Sequence, residues 1–413
     1  MAGPATRRGK TLHKQGRNRG EREMRKFGRW LGWLLAGLAL ALAAFFIFAP
    51  AWVEKGRNRV VQEAPWPVSD KARALHESLL IGDWHADSLL WNRDLSERGS
   101  YGQVDIPRLQ EGNVAIQVFT AVTKSPKGLN YEHNDPDAFD NITLLAFGQL
   151  WPPRTWTSLL ERALYQAEKL RRVEEESPDA LKVVRSRAAL EEVLVRRTQG
   201  EQVVAAILGL EGAHPLEGRL ENLDLLEAAG YRVVGLQHFF DNELGGTLHS
   251  RENNGLTEFG RQVVAEVARR GMVLDLAHSS TRVAREVLEI TDMPIIVSHT
   301  GIFGKCPTRR NYPDELMKQI AATGGVIGIG YWEEAVCDDS PAGIAATIRA
   351  AIELVGEDAV SLGSDFDGSV TTSFDTSGLA ALTQAMLDAG LSEAQIRKVM
   401  GENMLRVLRA RLR

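Results

Sequence analysis

Residues 272–299 read MVLDLAHSSTRVAREVLEITDMPIIVSH. Two apolar runs, Met272–Ala277 and Pro294–Ser298, are each followed at once by a histidine, His278 and His299. Runs of about four to eight residues rich in Val, Ile and Leu suit parallel strands buried on both faces. Similar runs lie outward from this stretch at Leu79–Gly82, Val114–Thr120, Val203–Leu210, Arg232–Gln237, Gly325–Gly330 and Val360–Ser364. Amphipathic stretches separate them. Leu220–Ala229 stops at Gly230, Thr257–Arg270 at Gly271 and Ala342–Val355 at Gly356, and glycine is the residue that most readily closes a helix. Ser392 opens a last amphipathic helix that runs to Leu412. Eight strands alternating with helices predict a TIM-like (β/α)8 barrel. An open doubly wound sheet is the structural alternative, but no Gly-rich phosphate fingerprint supports it.

Such barrels carry their chemistry at the C-terminal ends of the strands. The residues just past the runs are Asp83-Trp84-His85-Ala86-Asp87, Glu211-Gly212, His238, His278, His299 and Asp365-Phe366-Asp367-Gly368. Four of the nine histidines therefore fall at strand ends. In a strand, His-x-Asp sends both side chains to one side. Imidazole and carboxylate together suit zinc and similar divalent ions. His85 and Asp87 make one ligand pair, His278 and His299 another, and Glu211 can bridge them. Two ions about 3.5–4 Å apart can share and activate one water. His13, His76, His133 and His249 read as solvated or structural. His214 reads as a neighbour of the ligands or a core group, Asp275 as a ligand-orienting or core group, and Asp367 as a turn residue before Gly368.

The chain has 413 residues, 44% hydrophobic and 25% charged, with a net charge of −5. Those values exclude a disordered, collagenous or polytopic membrane chain and give no reason to expect a nucleic-acid partner. The charge is uneven. Residues 1–29 carry ten Lys/Arg and two acids, +8, which leaves −13 for the remainder. Trp30–Val53 then holds no charge at all. About 20 apolar residues suffice to cross a bilayer. The basic flank predicts a cytoplasmic N-terminus and an exported remainder. The expected organisation is a basic tail (1–29), a transmembrane signal anchor (30–53), a tether (54–70) and a barrel (71–413) with an insertion at about 124–200 beside the site mouth or near the membrane. Ala49-Pro50-Ala51 leaves signal cleavage as an alternative.

These residues together resemble the membrane (renal) dipeptidase family, the M19 metallopeptidases of the amidohydrolase-like barrels. The resemblance rests on Asp83–Asp87, Leu210-Glu211-Gly212, Gly255–Gly260, Leu274–His278, Val297-Ser298-His299, Arg310-Asn311 and Gly363–Gly368, in that order. It implies two Zn²⁺ ions, one on His85 and Asp87, one on His278 and His299, with Glu211 and a water or hydroxide between them. It implies that the hydroxide attacks a dipeptide carbonyl, that His238 contacts the oxyanion, that Arg310 binds the substrate carboxylate and that Asp365 moves the proton. It implies a disulfide between Cys306 and Cys337, fitting an oxidising compartment such as the periplasm of a bacterium or the cell exterior. Members of the family often form dimers, so a homodimer is an allowed assembly. The segment Phe239–Gly246 and the insertion depart from the mammalian pattern and leave side-chain preference open. Another amidohydrolase-type activity (lactonase, phosphotriesterase or deacetylase) or a catalytically silent binding barrel are the competing functions.

Overall fold

A computed structural model describes residues 8–62 and 65–413, with side-chain exposure from residue 21 onward. Residues 1–7 of the expected tail and 63–64 of the expected tether lie outside the described residues. The chain divides into two compact units, one up to Trp52 and one from Val53 to Arg413.

The first unit is most of a single helix, Arg8–Arg57. Its most apolar 18-residue window has a mean hydropathy of 2.4 and none of it is buried by protein. Trp33 and Trp52 are both 78% exposed, and Leu40 is 72% exposed. An apolar helical window exposed all round is suited to lipid rather than water. It is long and apolar enough to cross a membrane.

The second unit is a closed parallel barrel. Its strands are β1 (Ile81–Ala86), β2 (Val114–Val122), β3 (Leu181–Val183), β4 (Val204–Glu211), β5 (Tyr231–Gly235), β6 (Val273–Asp275), β7 (Ile295–Thr300), β8 (Val326–Ile329) and β9 (Val360–Leu362). The order around the ring is β1, β2, β4, β5, β6, β7, β8, β9, and β9 returns to β1 through Asp83 and Leu362. The eight ring strands fall on the eight apolar runs. β3 is additional and, among the described residues, pairs with the start of β4 (Leu181 with Val204, Val183 with Ala206). Three residues with Lys182 half exposed leave almost no apolar signal, so the sequence did not announce it.

Alternation along the strands builds two cores. Ala205 and Ile207 of β4 pack with Val233, Val273, Ile296 and Val326 inside the ring, closed below by Met404, Val407 and Leu408 of the last helix. The alternate residues Val204, Ala206 and Leu208 belong to the outer cluster, which also holds helical residues such as Val263, Val287 and Ile348. The inward set of β4 continues to Glu211, which is how a core strand delivers a carboxylate to the mouth. Gly212 then turns at φ 78°, and a Cβ there would lie 2.5 Å from His214 Nδ1. Only glycine lets the chain leave the strand at that point.

Two boundaries differ from the sequence reading. β6 stops at Asp275 rather than Ala277 because Asp275 Oδ1 accepts from the backbone N–H groups of Ala277 and Ser298. That carboxylate replaces ladder bonds with side-chain bonds, so Asp275 joins two strand ends. Residues 54–62, read as part of a tether, pack into the barrel unit. The helix continues to Arg57, Glu54 is 2% exposed, and Val61 N–H donates to Thr372 O at 2.9 Å. Polar residues concealed the docking, because its contacts are charged and backbone rather than apolar. The insertion contains helices Asn141–Gly148, Leu159–Glu176 and Arg187–Thr198.

Candidate metal centre

Each expected ligand sits at the C-terminal mouth. His85 lies within β1, and Asp87 follows its end, where the Asp87 N–H bonds Phe366 O at 2.9 Å. Glu211 ends β4 and His299 lies within β7. His238 and His278 lie in the loops after β5 and β6. His278 and Asp365 both adopt left-handed backbone, φ 64° and 61°. Such conformations cost a non-glycine residue free energy and cluster where a side chain must be aimed.

The four imidazoles share one orientation. Their Nε2 atoms surround Glu211, at 3.3 Å for His85, 3.3 Å for His238, 3.2 Å for His278 and 3.5 Å for His299. His278 Nε2 and His299 Nε2 are 2.9 Å apart. Their Nδ1 atoms face outward to other partners. His238 Nδ1 meets Lys124 O at 3.2 Å and His278 Nδ1 meets His249 Nε2 at 2.9 Å. Ser298 Oγ lies 2.8 Å from His299 Nδ1 and 3.4 Å from His85 Nδ1. A ring whose Nδ1–H donates outward presents a lone pair at Nε2. Lone pairs and carboxylates pointed at one another in a buried space repel unless a cation lies among them.

The remaining observations fit the same requirement. His85 Nε2 and Glu211 Oε2 are buried without a hydrogen-bond partner among the described residues. Ligand atoms of His85, Glu211, His299 and Asp365 form one close group, and those of Glu211, His238 and His278 another, with Glu211 common to both. Asp87 Oδ1 is 3.5 Å from His85 Nε2 and accepts from Thr120 Oγ1 at 2.5 Å. It stands beside the first group rather than within it. Nitrogen and oxygen donors in this mixture suit zinc-like ions.

Burial shapes the charges. Burial raises the Glu211 carboxyl to about 7, and the Asp87 carboxylate adds to the rise. Burial holds Asp365 well above the usual carboxylate range against the pull of His85. It pushes His238 down to about 3 and holds His278 and His299 well below the usual imidazole value. Burial opposes the proton on His85 too, but Asp87 and Glu211 outweigh it and hold that ring well above its usual value.

Arg310 is 1% exposed beside His299, whose carbonyl accepts from its Nη2, and its Nε has no partner among the described residues. Its guanidinium lies 5.4 Å from the Trp332 ring centre. Cys306 and Cys337 form a disulfide with Cα atoms 5.5 Å apart, joining the loops after β7 and β8. His214 is buried against Gly212. Asp367 does more than serve its turn: it accepts from Ser88 Oγ at 2.7 Å and Gln103 N at 2.8 Å. His249, read as solvated or structural, is fully buried against a ligand candidate. Its position in the long loop after β5, away from any strand end, hid it. The insertion begins at the mouth, since Lys124 O contacts His238 and Tyr131 O contacts His249.

Comparison with known proteins agrees with this geometry. The family model described as membrane dipeptidase (peptidase family M19) matches residues 69–412. The dipeptidase aclJ of Aspergillus oryzae (strain ATCC 42149 / RIB 40) is 28% identical over 365 residues, 81% of each chain. A metallopeptidase from Rhodobacter sphaeroides, solved with a phosphinate mimic of the dipeptide L-Ala-D-Ala, superposes with a TM-score of 0.66 at 25% identity, over 81% of this chain and 99% of that one. An amidohydrolase from Pseudomonas aeruginosa has the same fold, with a TM-score of 0.64 at 22% identity, over 83% of this chain and 99% of that one.

Proposed function

The chain belongs to the membrane dipeptidase family, peptidase family M19, and we propose that it is a membrane-anchored dipeptidase working with two zinc ions. The observation that carries this reading is the inward convergence of four Nε2 atoms on Glu211 with every Nδ1 tied outward. His85 and Asp87 would hold one ion, His278 and His299 the other, and Glu211 both. When bound, such a pair acidifies a shared water and polarises a carbonyl.

This chain's own residues do the rest. Asp365, kept at a raised pKa by burial, accepts the proton of the attacking water and returns it to the leaving amine. His238, with Nδ1 held by Lys124 O, turns Nε2 toward the reacting carbonyl oxygen. Arg310 offers a planar donor fork to a free substrate carboxylate, and its unpartnered Nε marks spare donor capacity. A carboxylate anchor this close to the centre restricts the substrate to very short peptides. The Arg8–Arg57 helix would hold the catalytic unit on the outer face of the membrane, with the basic N-terminus in the cytoplasm.

The test is hydrolysis of a dipeptide panel that includes L-Ala-D-Ala, by the full-length chain in detergent, with and without a chelator. The expected result is cleavage of free dipeptides, weak or no cleavage of C-terminally amidated ones, and loss on chelation. Equal rates on amidated and free dipeptides would remove Arg310 from its assigned role.

A further inference from the structure

We infer that His249 is a positioning residue for the metal centre: with the Tyr131 carbonyl it forms a relay that fixes which nitrogen of His278 faces the metals. The inference rests on the metal-binding reading of the centre and adds a component outside the ligand set.

Three groups stand in line. His249 Nδ1 lies 2.9 Å from the Tyr131 backbone oxygen. His249 Nε2 lies 2.9 Å from His278 Nδ1. His278 Nε2 faces Glu211 Oε1 at 3.2 Å. A carbonyl oxygen only accepts, so the proton in the first contact belongs to His249 Nδ1. The neutral ring then has a lone pair at Nε2, so the proton in the second contact belongs to His278 Nδ1. That leaves His278 Nε2 as a lone pair aimed into the centre, the form a metal ligand requires. Reversing the second contact would put the proton on His278 Nε2 and block it as a ligand. The direction of the whole line is set at its far end, by a backbone oxygen that cannot change role.

The relay is rigid. His249 stacks on Phe239 at 4.4 Å between ring centres with an interplanar angle of 25°. Its carbonyl accepts from Asn134 N at 2.9 Å. Leu248 N donates to His278 O at 2.7 Å, so the same segment holds both the ring and the left-handed backbone of His278. Tyr131 and Asn134 belong to the insertion after β2, which ties that loop to the centre through one imidazole.

Three variants of the full-length chain test the inference, read by chelator competition for zinc and by the absorption spectrum of the cobalt-substituted protein. His249→Gln keeps an acceptor oxygen for His278 and an amide N–H for Tyr131. His249→Asn reaches the Tyr131 carbonyl but is too short for His278 Nδ1. His249→Leu removes both contacts. Loss of such an outer partner weakens metal binding roughly 10–100-fold. Leu and Asn should lose affinity at one of two ions by that factor and alter the cobalt spectrum. Gln should stay within about threefold of wild type, below that range. The Asn variant keeps a buried polar side chain, so the inference remains testable where Leu fails to fold. Wild-type affinity in His249→Asn, or equal losses in Gln and Asn, would overturn the relay alone. A wild-type chain that binds no divalent ion would overturn the proposed function and the relay with it.

Discussion

Two buried charged clusters lie a few residues apart in sequence yet have opposite character. One is the centre around Glu211. The other is Arg93 with Glu54 and Asp367. Arg93 donates to Glu54 through Nε, to Val104 O at 2.8 Å and to Asp367 Oδ2 at 2.5 Å. Asp367 also takes Ser88 and Gln103 as donors. Every charge there has an opposite charge and hydrogen bonds around it. At Glu211, the Nε2 atoms of His238, His278 and His299, all held in the neutral form by burial, face a carboxylate. A buried cluster whose carboxylates share a guanidinium and hydrogen-bond donors is structural; one whose acceptors meet only around an added cation is a site. The clusters also meet, because Ser88 follows Asp87 and Asp367 follows Asp365 by two. The Arg93 cluster braces the loops that carry the centre around Glu211.

Substitutions should therefore act in opposite ways. The largest effect is expected for Asp365→Asn, which should lower kcat roughly 10²–10⁴-fold as the loss of a general acid–base group. The metal-free chain should melt no lower, since the amide replaces a buried carboxyl crowded by Glu211 and Asp87 with an uncharged group of the same shape. Steady-state kinetics and a thermal melt on one preparation check both halves; a folding defect would break the contrast. Arg93→Met should do the reverse. It strands Glu54 and Asp367 and should cost about 3–5 kcal/mol in denaturant unfolding. Zinc per folded chain should be unchanged; a variant that kept its stability but lost metal would place Arg93 in the site.

Smaller effects sharpen the contrast. Opening the Cys306–Cys337 bond, which closes a separation of 31 residues, should cost about 3–4 kcal/mol by the loop-closure account. Paired serine substitutions with zinc analysis would show whether that loss stays separate from metal binding. His76 is a buried titratable group belonging to neither cluster, 2.9 Å from Thr383 Oγ1, and burial lowers its pKa to about 4 from 6.5. Its folded form prefers to be neutral. Its contribution is therefore complete above pH about 6.5 and lost as pH falls toward about 4, by up to about 3 kcal/mol. His76→Gln should flatten that part of the stability profile; an unchanged slope would assign the acid sensitivity elsewhere.

Much of this was legible in the sequence because barrel strands are continuous apolar runs and the site residues follow them directly. His85, Glu211 and His299 sit in or at the end of ring strands, so the eight runs located them. The paired cysteines became readable only through the family resemblance. What stayed hidden depends on loops and on polar packing. β3 is too short to carry a pattern, and Glu54 looked like part of a solvated tether until Arg93 was found opposite it. His249 touches the centre from a loop whose path no periodicity records. Its role depends on a carbonyl, Tyr131 O, 118 residues earlier in the chain. Backbone partners of that kind leave no trace in residue identity.

The central claim is that the convergence on Glu211 exists to hold metal. Elemental analysis of the full-length chain, purified in detergent without added metal and assayed on a dipeptide before and after dialysis against a chelator, tests it most directly. The account predicts two equivalents of zinc per chain, and loss and recovery of hydrolysis with removal and return of the metal. A chain free of divalent metal that hydrolyses dipeptides at an undiminished rate would contradict it.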